Sequence, residues 1–496
     1  MLRKILFALV PLLVLLVGLE LALRALGMGA HEANRTRGFD TGERYLIPDP
    51  EVPGGFLPGY LDGKFKEFKI PPKGDELRVL LFGGSNTRGF PHHYLAQVLN
   101  RKAEYANPGF EVINLGRQGY GSKRVAILFA QALQLEPDVV VIYSGHNEFI
   151  EYSFQLELEE EWSGAESTLA GLAEHLRTYN VLVSAFETPP EEREVDAQDV
   201  APERWQWEYE RFAGYTYDQT LEHLEGYREN LEFMCRTAAE HGVDVLLCTV
   251  VGNMLDAPFV NTPPPSLGAA ERGRLDQLLA RAHEAIPERF RGLVREEGDR
   301  MHPKDWEFPK RESRPGAVAP RLRPLLGVLA ERETWWPEPG LWAPRVEPFL
   351  RILEGFHARA LEDGERADLE EARGVLEEAL ALCPDHPLAH FRLGLVHYLL
   401  GDDGQAAEHL RLAGRYDRAP RRGNDLTNGI VRAVAGAQPA VHFLDLEELF
   451  LARTPSGITG YEMFLDNCHF HEAVLPIVMQ DVARALLPIC AERLTP

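Results

Sequence analysis

The residues best suited to chemistry in this sequence are a serine behind a glycine pair and an Asp-x-x-His near the C-terminal end. Ser85 follows residues 82–84 (Phe-Gly-Gly), and Asp466 precedes His469 by three positions. An aspartate can accept one ring N–H of a histidine, which leaves the other ring nitrogen free to take a proton from a serine hydroxyl. This combination predicts an activated serine nucleophile. Taken alone, Ser85 could instead cap a helix after a strand, and Asp-x-x-His also arises by chance.

Two further segments could face the same crevice as Ser85. Residues 114–122 (NLGRQGYGS) hold three glycines that expose backbone N–H groups, and Ser122 is the expected N-cap of the next helix. Asn147 follows another apolar run in the sequence GHNE and would bring a polar amide to a third strand end. Each segment alone could be an ordinary turn.

Five short apolar runs predict buried parallel strands: Arg78–Phe82, Phe110–Leu115, Asp138–Tyr143, Val243–Val251 and Val441–Leu446. Helical patterns, among them Ser122–Gln134 and Leu221–His241, separate these runs. Strands that alternate with helices predict an α/β fold with a doubly wound parallel sheet. Each chemical segment follows one of the strands, and the C-terminal edge of such a sheet is where ligands bind.

In this order the four segments resemble the SGNH (GDSL-like) hydrolase superfamily, whose blocks match here as GGSNT, NLGRQGYGS, GHNE and DNCH. The resemblance covers roughly residues 76–150, 217–254 and 431–496. The first block reads GGS rather than GDS, and the third reads GHNE rather than GxND, so that its acidic residue is Glu148. The resemblance implies the SGNH hydrolase fold, a flavodoxin-like sheet of five parallel strands, and neither a cofactor nor a metal ion.

The resemblance also implies a role for each matching residue. Ser85 would be the nucleophile, and His469 with Asp466 would form its base. The oxyanion hole would consist of the backbone N–H groups of Ser85 and Gly119 and the side-chain amide of Asn147. Gly119 is chosen rather than Gly116 because it lies three residues before Ser122, which would start the next helix. An acyl-enzyme on Ser85 would then be released by water or by another alcohol.

The composition limits the partners that the protein could bind. The chain has 496 residues, of which 45% are hydrophobic and 26% charged, which suits a globular protein of more than one domain. The net charge of -24 repels phosphate backbones, so that nucleic-acid binding is not expected. The same charge disfavours an extended surface for anionic lipid.

The cysteines do not predict a metal site. The five are widely spaced, without a CxxC pair, so that a zinc site is not indicated and most of them are expected to be buried small residues: Cys235, Cys248, Cys383, Cys468 and Cys490. Cys468 precedes His469 and could be a rival nucleophile, but nothing in the sequence positions a base against it.

The N-terminal residues 1–28 are predicted to be a transmembrane anchor or a signal segment. Arg3 and Lys4 precede an apolar run from Ile5 that weakens toward Leu26, and a helix needs about 20 residues to span a bilayer. The alternatives are a cleaved signal peptide and a buried helix. Positive charge before the segment would keep that end in the cytoplasm and place the rest outside, which is the periplasm in a Gram-negative cell. Cleavage would make the protein secreted.

The rest of the chain divides into a linker, a discontinuous hydrolase domain and an insertion. The predicted bounds are 29–76 for the linker, 76–254 for the first part of the hydrolase domain with a helical insertion at 151–216, 255–430 for the second insertion, and 431–496 for the last part of the hydrolase domain.

The second insertion carries an internal repeat. Ala372, Leu376 and Ala379 recur about 34 residues later as Ala406, Leu410 and Ala413, which resembles the TPR repeat over about 355–418. Two ordinary helical hairpins are the alternative. Because the insertion leaves the fourth strand and feeds the fifth, we expect it to stand over the active-site mouth and select the substrate or a protein partner. Its basic cluster Arg418, Arg421 and Arg422 would face an anionic group or be a solvated helix end.

These observations predict an extracytoplasmic serine esterase or deacylase that acts on an acylated small molecule, lipid or polysaccharide. An O-acyltransferase that passes the same acyl group to a cell-surface glycan is the first alternative. The second is a TPR-type scaffold that binds a protein and has a vestigial hydrolase site.

Overall fold

The structure, a computed structural model, describes residues 16–23, 39, 45–58, 69–101, 109–163, 178, 215–255, 267–291, 361–362, 364–454, 456–460, 463–464, 467–470 and 474–494. The chain divides into two compact units: Met1–Asp49 with Phe56–Lys69 and Tyr152–Val200, and Pro50–Gly55 with Ile70–Glu151 and Ala201–Pro496. The domain bounds predicted from the sequence stay predictions.

The first unit contains a short hairpin. Strand β1 (Leu46–Pro48) pairs antiparallel with β2 (Phe56–Pro58), with Leu46 opposite Pro58. Of the predicted membrane segment only residues 16–23 are described, and they are helical. In the described part of the chain no helix is both long and apolar enough to cross a membrane. The membrane anchor therefore stays a prediction, and so does most of the helical insertion at 151–216, which lies largely outside the described residues.

The second unit is built on a five-stranded parallel sheet. Its strands are β3 (Leu77–Gly83), β4 (Phe110–Asn114), β5 (Val139–Tyr143), β6 (Asp244–Cys248) and β7 (Val441–Leu444). They lie in the order β4-β3-β5-β6-β7, and every neighbouring pair is parallel. This is the flavodoxin-like order, so the predicted fold class is confirmed.

The helices are α1 (Ser85–Arg88), α2 (His92–Arg101), α3 (Ser122–Ala132), α4 (Glu148–Ser163), α5 (Tyr217–Glu240), α6 (Ala269–Ala285), α7 (Glu288–Arg291), α8 (Glu365–Leu382), α9 (Pro387–Leu400), α10 (Asp403–Tyr416), α11 (Asp425–Ala437), α12 (Leu446–Arg453) and α13 (Leu475–Leu494). Helices cover both faces of the sheet. Val79 and Leu81 of β3 share a buried core with α2 and α13. Phe82 packs against Phe129 of α3, with ring centroids 5.4 Å apart. All seven residues of β3 are buried, which explains why the strand is apolar from Val79 to Phe82. Arg78 is the charged exception, and its Nε binds Glu111 Oε2 over 2.7 Å.

Helices α8, α9 and α10 pack with α6 around a second hydrophobic core. All six repeat positions of the sequence pattern are buried in it: Ala372, Leu376, Ala379, Ala406, Leu410 and Ala413. A Cβ atom at Gly394 would lie 2.7 Å from Leu410 Cγ, so that a glycine is required where α9 crosses α10. The residues that recur in the sequence are thus the ones that pack between these helices.

The five cysteines are all buried and free. The prediction that most of them are buried is confirmed, and the sequence left their pairing open. Burial raises the pKa of the Cys235 thiol to about 12 and that of Cys383 also to about 12. These two thiols are therefore neutral and unreactive at physiological pH.

Candidate active site

The hydroxyl of Ser85 and the imidazole of His469 lie together at the C-terminal edge of β3. His469 Nε2 lies 2.7 Å from Ser85 Oγ. The N-cap of α1 is Gly84, without a side-chain cap, so Ser85 is the first helical residue and not the cap. At this distance the imidazole can take the proton of the hydroxyl, which makes the serine a nucleophile.

The turn that presents Ser85 depends on Gly83. A Cβ atom at Gly83 would lie 2.0 Å from the carbonyl oxygen of Tyr143 and 2.1 Å from Thr87 Oγ1. Thr87 Oγ1 donates a hydrogen bond of 3.1 Å to the same Tyr143 oxygen. Because both neighbours occupy that space, only a glycine lets the chain leave β3 and enter α1 within so few residues.

Asn147 lies beside the nucleophile candidate. Its Nδ2 donates to the carbonyl oxygen of Tyr120 over 3.0 Å, and the side chain is buried. A Cβ atom at Gly84 would come within 2.4 Å of that Nδ2. The amide is therefore packed against the residue that precedes Ser85, and an N–H group held there is oriented before any substrate binds.

The glycines of the second block have different structural roles. The N–H of Gly116 donates to Asn114 Oδ1 over 2.9 Å, and a Cβ atom on Gly116 would lie 2.3 Å from the backbone nitrogen of Arg88. Gly116 is thus required by close backbone packing, and its N–H is occupied. Gly119 adopts φ of +70°, a left-handed conformation that favours glycine. This geometry favours Gly119 over Gly116 as the backbone donor.

Two buried carboxyl groups, those of Glu148 and Glu151, close the N-terminal end of α3, and the sequence motifs do not include Glu151. Glu151 accepts from the N–H groups of Gly121 over 3.0 Å and Lys123 over 2.8 Å, and Glu148 accepts from Ser122 N over 3.1 Å. The predicted N-cap at Ser122 is wrong by one residue, since the cap is Gly121 and Ser122 Oγ binds Glu148 at 2.6 Å. Free N–H groups at a helix N-terminus attract carboxylates.

Arg124 ties these carboxylates to the glycine turn. Its Nε lies 2.7 Å from Glu151 Oε1, and its guanidinium lies over the Tyr120 ring, 4.3 Å from the centroid. Arg124 Nη2 also donates to the carbonyl oxygen of Gly119. The buried pair therefore fixes the peptide planes around Gly119. The sequence places Glu148 and Glu151 three residues apart, on one face of a helix, but it does not show what they bind.

We expect Glu148 to make the stability of the protein depend on pH. Burial, and next the charge of Glu151, raise the pKa of Glu148 to about 8. Between its unfolded value and about pH 8 the folded state holds one proton more than the unfolded state, so this contribution to stability falls as the pH rises through that window. The free energy of unfolding of the wild type, minus that of Glu148→Gln, should therefore decline by up to about 1.4 kcal/mol per pH unit in this window, because the other titrating groups contribute equally to both proteins.

Urea unfolding from pH 5 to 9 measures this slope. Glu240→Gln, which removes an exposed carboxyl at the end of α5, is the control and should keep the wild-type slope. Equal slopes in the wild type and Glu148→Gln would show that Glu148 is ionised in the fold.

The remaining predicted residues have different outcomes. Asp466 lies outside the described residues, and its role stays a prediction. Cys468 Sγ lies 3.8 Å from His469 Nδ1, so the imidazole has the serine at one nitrogen and the buried thiol near the other. The hydroxyl contact is 2.7 Å and Ser85 is half-buried, which favours the serine as the nucleophile.

Two of the three arginines of the basic cluster do not have the exposed position that either sequence interpretation required, and the third, Arg421, is half-buried. Arg418 and Arg422 are buried. Arg418 Nη2 binds Asp385 Oδ2 over 2.8 Å, and Arg422 Nη1 donates to the carbonyl oxygen of Asn253. Both guanidinium groups therefore serve contacts inside the protein.

Comparison with known proteins supports the helical repeat directly. Residues 365–401 match the family model of the TPR repeat, which favours the TPR interpretation over two unrelated hairpins. No functionally curated protein matches the chain.

Two solved structures resemble the chain at low identity. A GDSL-like lipase from Bacteroides thetaiotaomicron is 15% identical, with a TM-score of 0.16, over 36% of this chain and 51% of that one. A protein from Bacteroides fragilis assigned as an acylhydrolase is 16% identical, with a TM-score of 0.18, over 43% of this chain and 66% of that one. The chain thus spans about half to two thirds of the length of these structures. The fold assignment rests on the order and direction of the five strands, and the family model of the TPR repeat matches residues 365–401 alone and not the sheet.

Proposed function

We propose that this protein is a serine hydrolase of carboxylic esters that works through an acyl-enzyme on Ser85. The observation that carries the proposal is the hydrogen bond of 2.7 Å between Ser85 Oγ and His469 Nε2. The buried amide of Asn147, packed against Gly84, supports it, because an acyl transfer needs fixed donors beside the nucleophile.

The reaction follows from these groups. His469 removes the proton of Ser85 while the oxygen attacks the ester carbonyl carbon, and Asp466 stabilises the imidazolium that forms. The N–H groups of Ser85 and Gly119 and the amide of Asn147 donate to the oxyanion. The C–O bond to the leaving alcohol breaks as the imidazolium protonates that oxygen. Water, deprotonated by the same imidazole, then cleaves the acyl-enzyme and restores the hydroxyl.

The substrate and the location are further parts of the proposal. We propose an acylated small molecule, lipid or polysaccharide as the substrate and an extracytoplasmic site of action. The apolar N-terminal run behind Arg3 and Lys4 supports that location. The TPR match supports a protein partner for residues 365–401, and a scaffold with an inactive site is the second candidate function. The Ser85–His469 hydrogen bond argues against inactivity.

A fluorophosphonate probe separates the two candidates, because it reacts only with an activated serine. We expect the folded protein to bind one probe molecule covalently and peptide mapping to locate it on Ser85. Heat-denatured protein is the control and should not react. The hydrolase proposal fails if the folded protein stays unlabelled or if the label lies on another residue.

A further inference from the structure

The loop that carries His469 contacts the segment that ends the helical insertion. We call residues 417–424, between α10 and α11, the bridging segment. Arg422 in this segment is buried, and its Nη1 donates to the carbonyl oxygen of Asn253. Asn253 is fully buried, and its N–H donates over 2.9 Å to the carbonyl oxygen of Asn467. Asn467 precedes His469 by two residues.

The bridging segment holds Asn467 a second time. The side-chain Nδ2 of Asn467 donates to the carbonyl oxygen of Arg421. The main chain of Asn467 is thus bound by the loop after β6, and its side chain is bound by the bridging segment. Two hydrogen bonds from different directions fix both the position and the orientation of the residue before Cys468 and His469.

The bridging segment and the loop after β6 are packed too closely to move separately. A Cβ atom at Gly423 would lie 2.5 Å from the carbonyl oxygen of Val250, and one at Gly252 would lie 2.9 Å from that of Gly423. Asn428 accepts from Val250 N and donates to Val250 O, both over 2.8 Å. Because all these contacts are buried, the anchor of Asn467 is rigid.

We infer that Arg422 is a positioning residue for the catalytic histidine, and that the helical insertion therefore contributes to the rate of acyl transfer as well as to what binds. The inference rests on the proposed function. Arg422 touches no reacting atom. It fixes Asn253, which fixes Asn467, and thereby holds the His469 imidazole at the distance from Ser85 Oγ that proton transfer requires.

The test compares Arg422→Ala, Arg422→Lys and Asn467→Ala in the full chain. Arg422→Ala and Asn467→Ala should lower kcat for p-nitrophenyl acetate and the rate of fluorophosphonate labelling about 10- to 100-fold, since displaced catalytic groups cost that much. KM should change less than about twofold, because substrate contacts are untouched. Arg422→Lys keeps a donor and should restore part of the rate. The double variant Arg422→Ala with Asn467→Ala should lose less in kcat than the product of the two single losses, since both substitutions act through Asn467.

The matched control is Arg392→Ala. Arg392 is also buried in the insertion, and its Nη1 donates over 2.9 Å to the carbonyl oxygen of Leu279, away from the catalytic loop. The Arg392→Ala substitution should lower Tm by as much as Arg422→Ala does and should leave kcat unchanged. If Arg422→Ala does not fold, Arg422→Lys decides the role of Arg422, and its kcat should still lie below that of the wild type. Asn467→Ala then decides whether the bridging segment also acts through the side-chain bond from Asn467 to Arg421.

The outcomes separate this inference from the proposed function. Suppose that the wild type is labelled on Ser85, but Asn467→Ala and the folded Arg422 variants keep its kcat and its labelling rate. That result would overturn the positioning role alone. A wild type that is not labelled on Ser85 would overturn the proposed function and this inference together.

Discussion

Ser85→Ala should abolish hydrolysis of p-nitrophenyl acetate, with a loss in kcat of about four orders of magnitude or more. The substitution removes the only atom that can form the acyl-enzyme, and His469 Nε2, 2.7 Å away, then has no proton to accept. His469→Ala should cost about as much, because an unactivated hydroxyl is a poor nucleophile. The double variant should be no slower than either single variant, since both residues act in one step.

Ser144→Ala is the control for this prediction. Ser144 lies just after β5, and its buried Oγ has no hydrogen-bond partner within the described ranges. Removing this hydroxyl should leave kcat unchanged, and circular dichroism should show all the variants folded. If Ser85→Ala kept a tenth of the wild-type rate, or if the two single losses multiplied in the double variant, the assignment of the nucleophile and base would be wrong.

The parallel sheet could be predicted because its strands are covered on both faces. A short strand such as β3, buried throughout, is mostly apolar, and this pattern stands out from the helical periodicity on either side. The observed strands agree with the predicted runs except at the ends. The fourth run extends to Val251 in the sequence, but β6 ends at Cys248, because Val250 bonds to the Asn428 side chain instead of a neighbouring strand.

The meeting of Ser85 and His469 could be predicted only in part. Ser85 follows β3 directly, at the edge where the parallel strands end, but His469 lies beyond β7 and α12, so that its place beside Ser85 was implied by the resemblance to the SGNH family. The groups that cap the N-terminus of α3 could not be predicted from the sequence. Capping rules consider residues adjacent to the helix, and so they selected Ser122, whereas the structure uses Glu148 and Glu151 from another helix, 26 and 30 residues away from Ser122 and Gly121. No local pattern encodes a partner at that distance.

The buried arginines were missed for the same reason. Arg418 and Arg422 lie close together in a sequence that is otherwise acidic, and such a group is usually solvated. Their partners are 33 residues away at Asp385 and 169 residues away at Asn253. Burial of a charge depends on such partners, which become visible only in three dimensions.

Asn147→Ala should lower kcat about 100- to 1000-fold with little change in KM. Asn147 Nδ2 is held by the Tyr120 carbonyl and packed against Gly84, so its second N–H is fixed beside Ser85. A donor in that position interacts weakly with a neutral ester carbonyl and strongly with the oxyanion, and its loss therefore raises the barrier by about 3–4 kcal/mol without weakening substrate binding.

Asn147→Asp gives a sharper form of the same prediction. The carboxylate has nearly the same shape as the amide, but it has no N–H group and repels the oxyanion, so kcat should fall below that of Asn147→Ala. Asn100→Ala is the control, because the side-chain amide of Asn100, in α2, also binds main chain. Its Nδ2 donates to the carbonyl oxygen of Phe110 over 3.0 Å, and its Oδ1 accepts from the N–H of Phe110 over 2.7 Å. That variant should lose stability and keep kcat. An effect of Asn147→Ala on KM alone would instead make Asn147 a substrate-binding residue, and the oxyanion would then have to be stabilised by backbone N–H groups only.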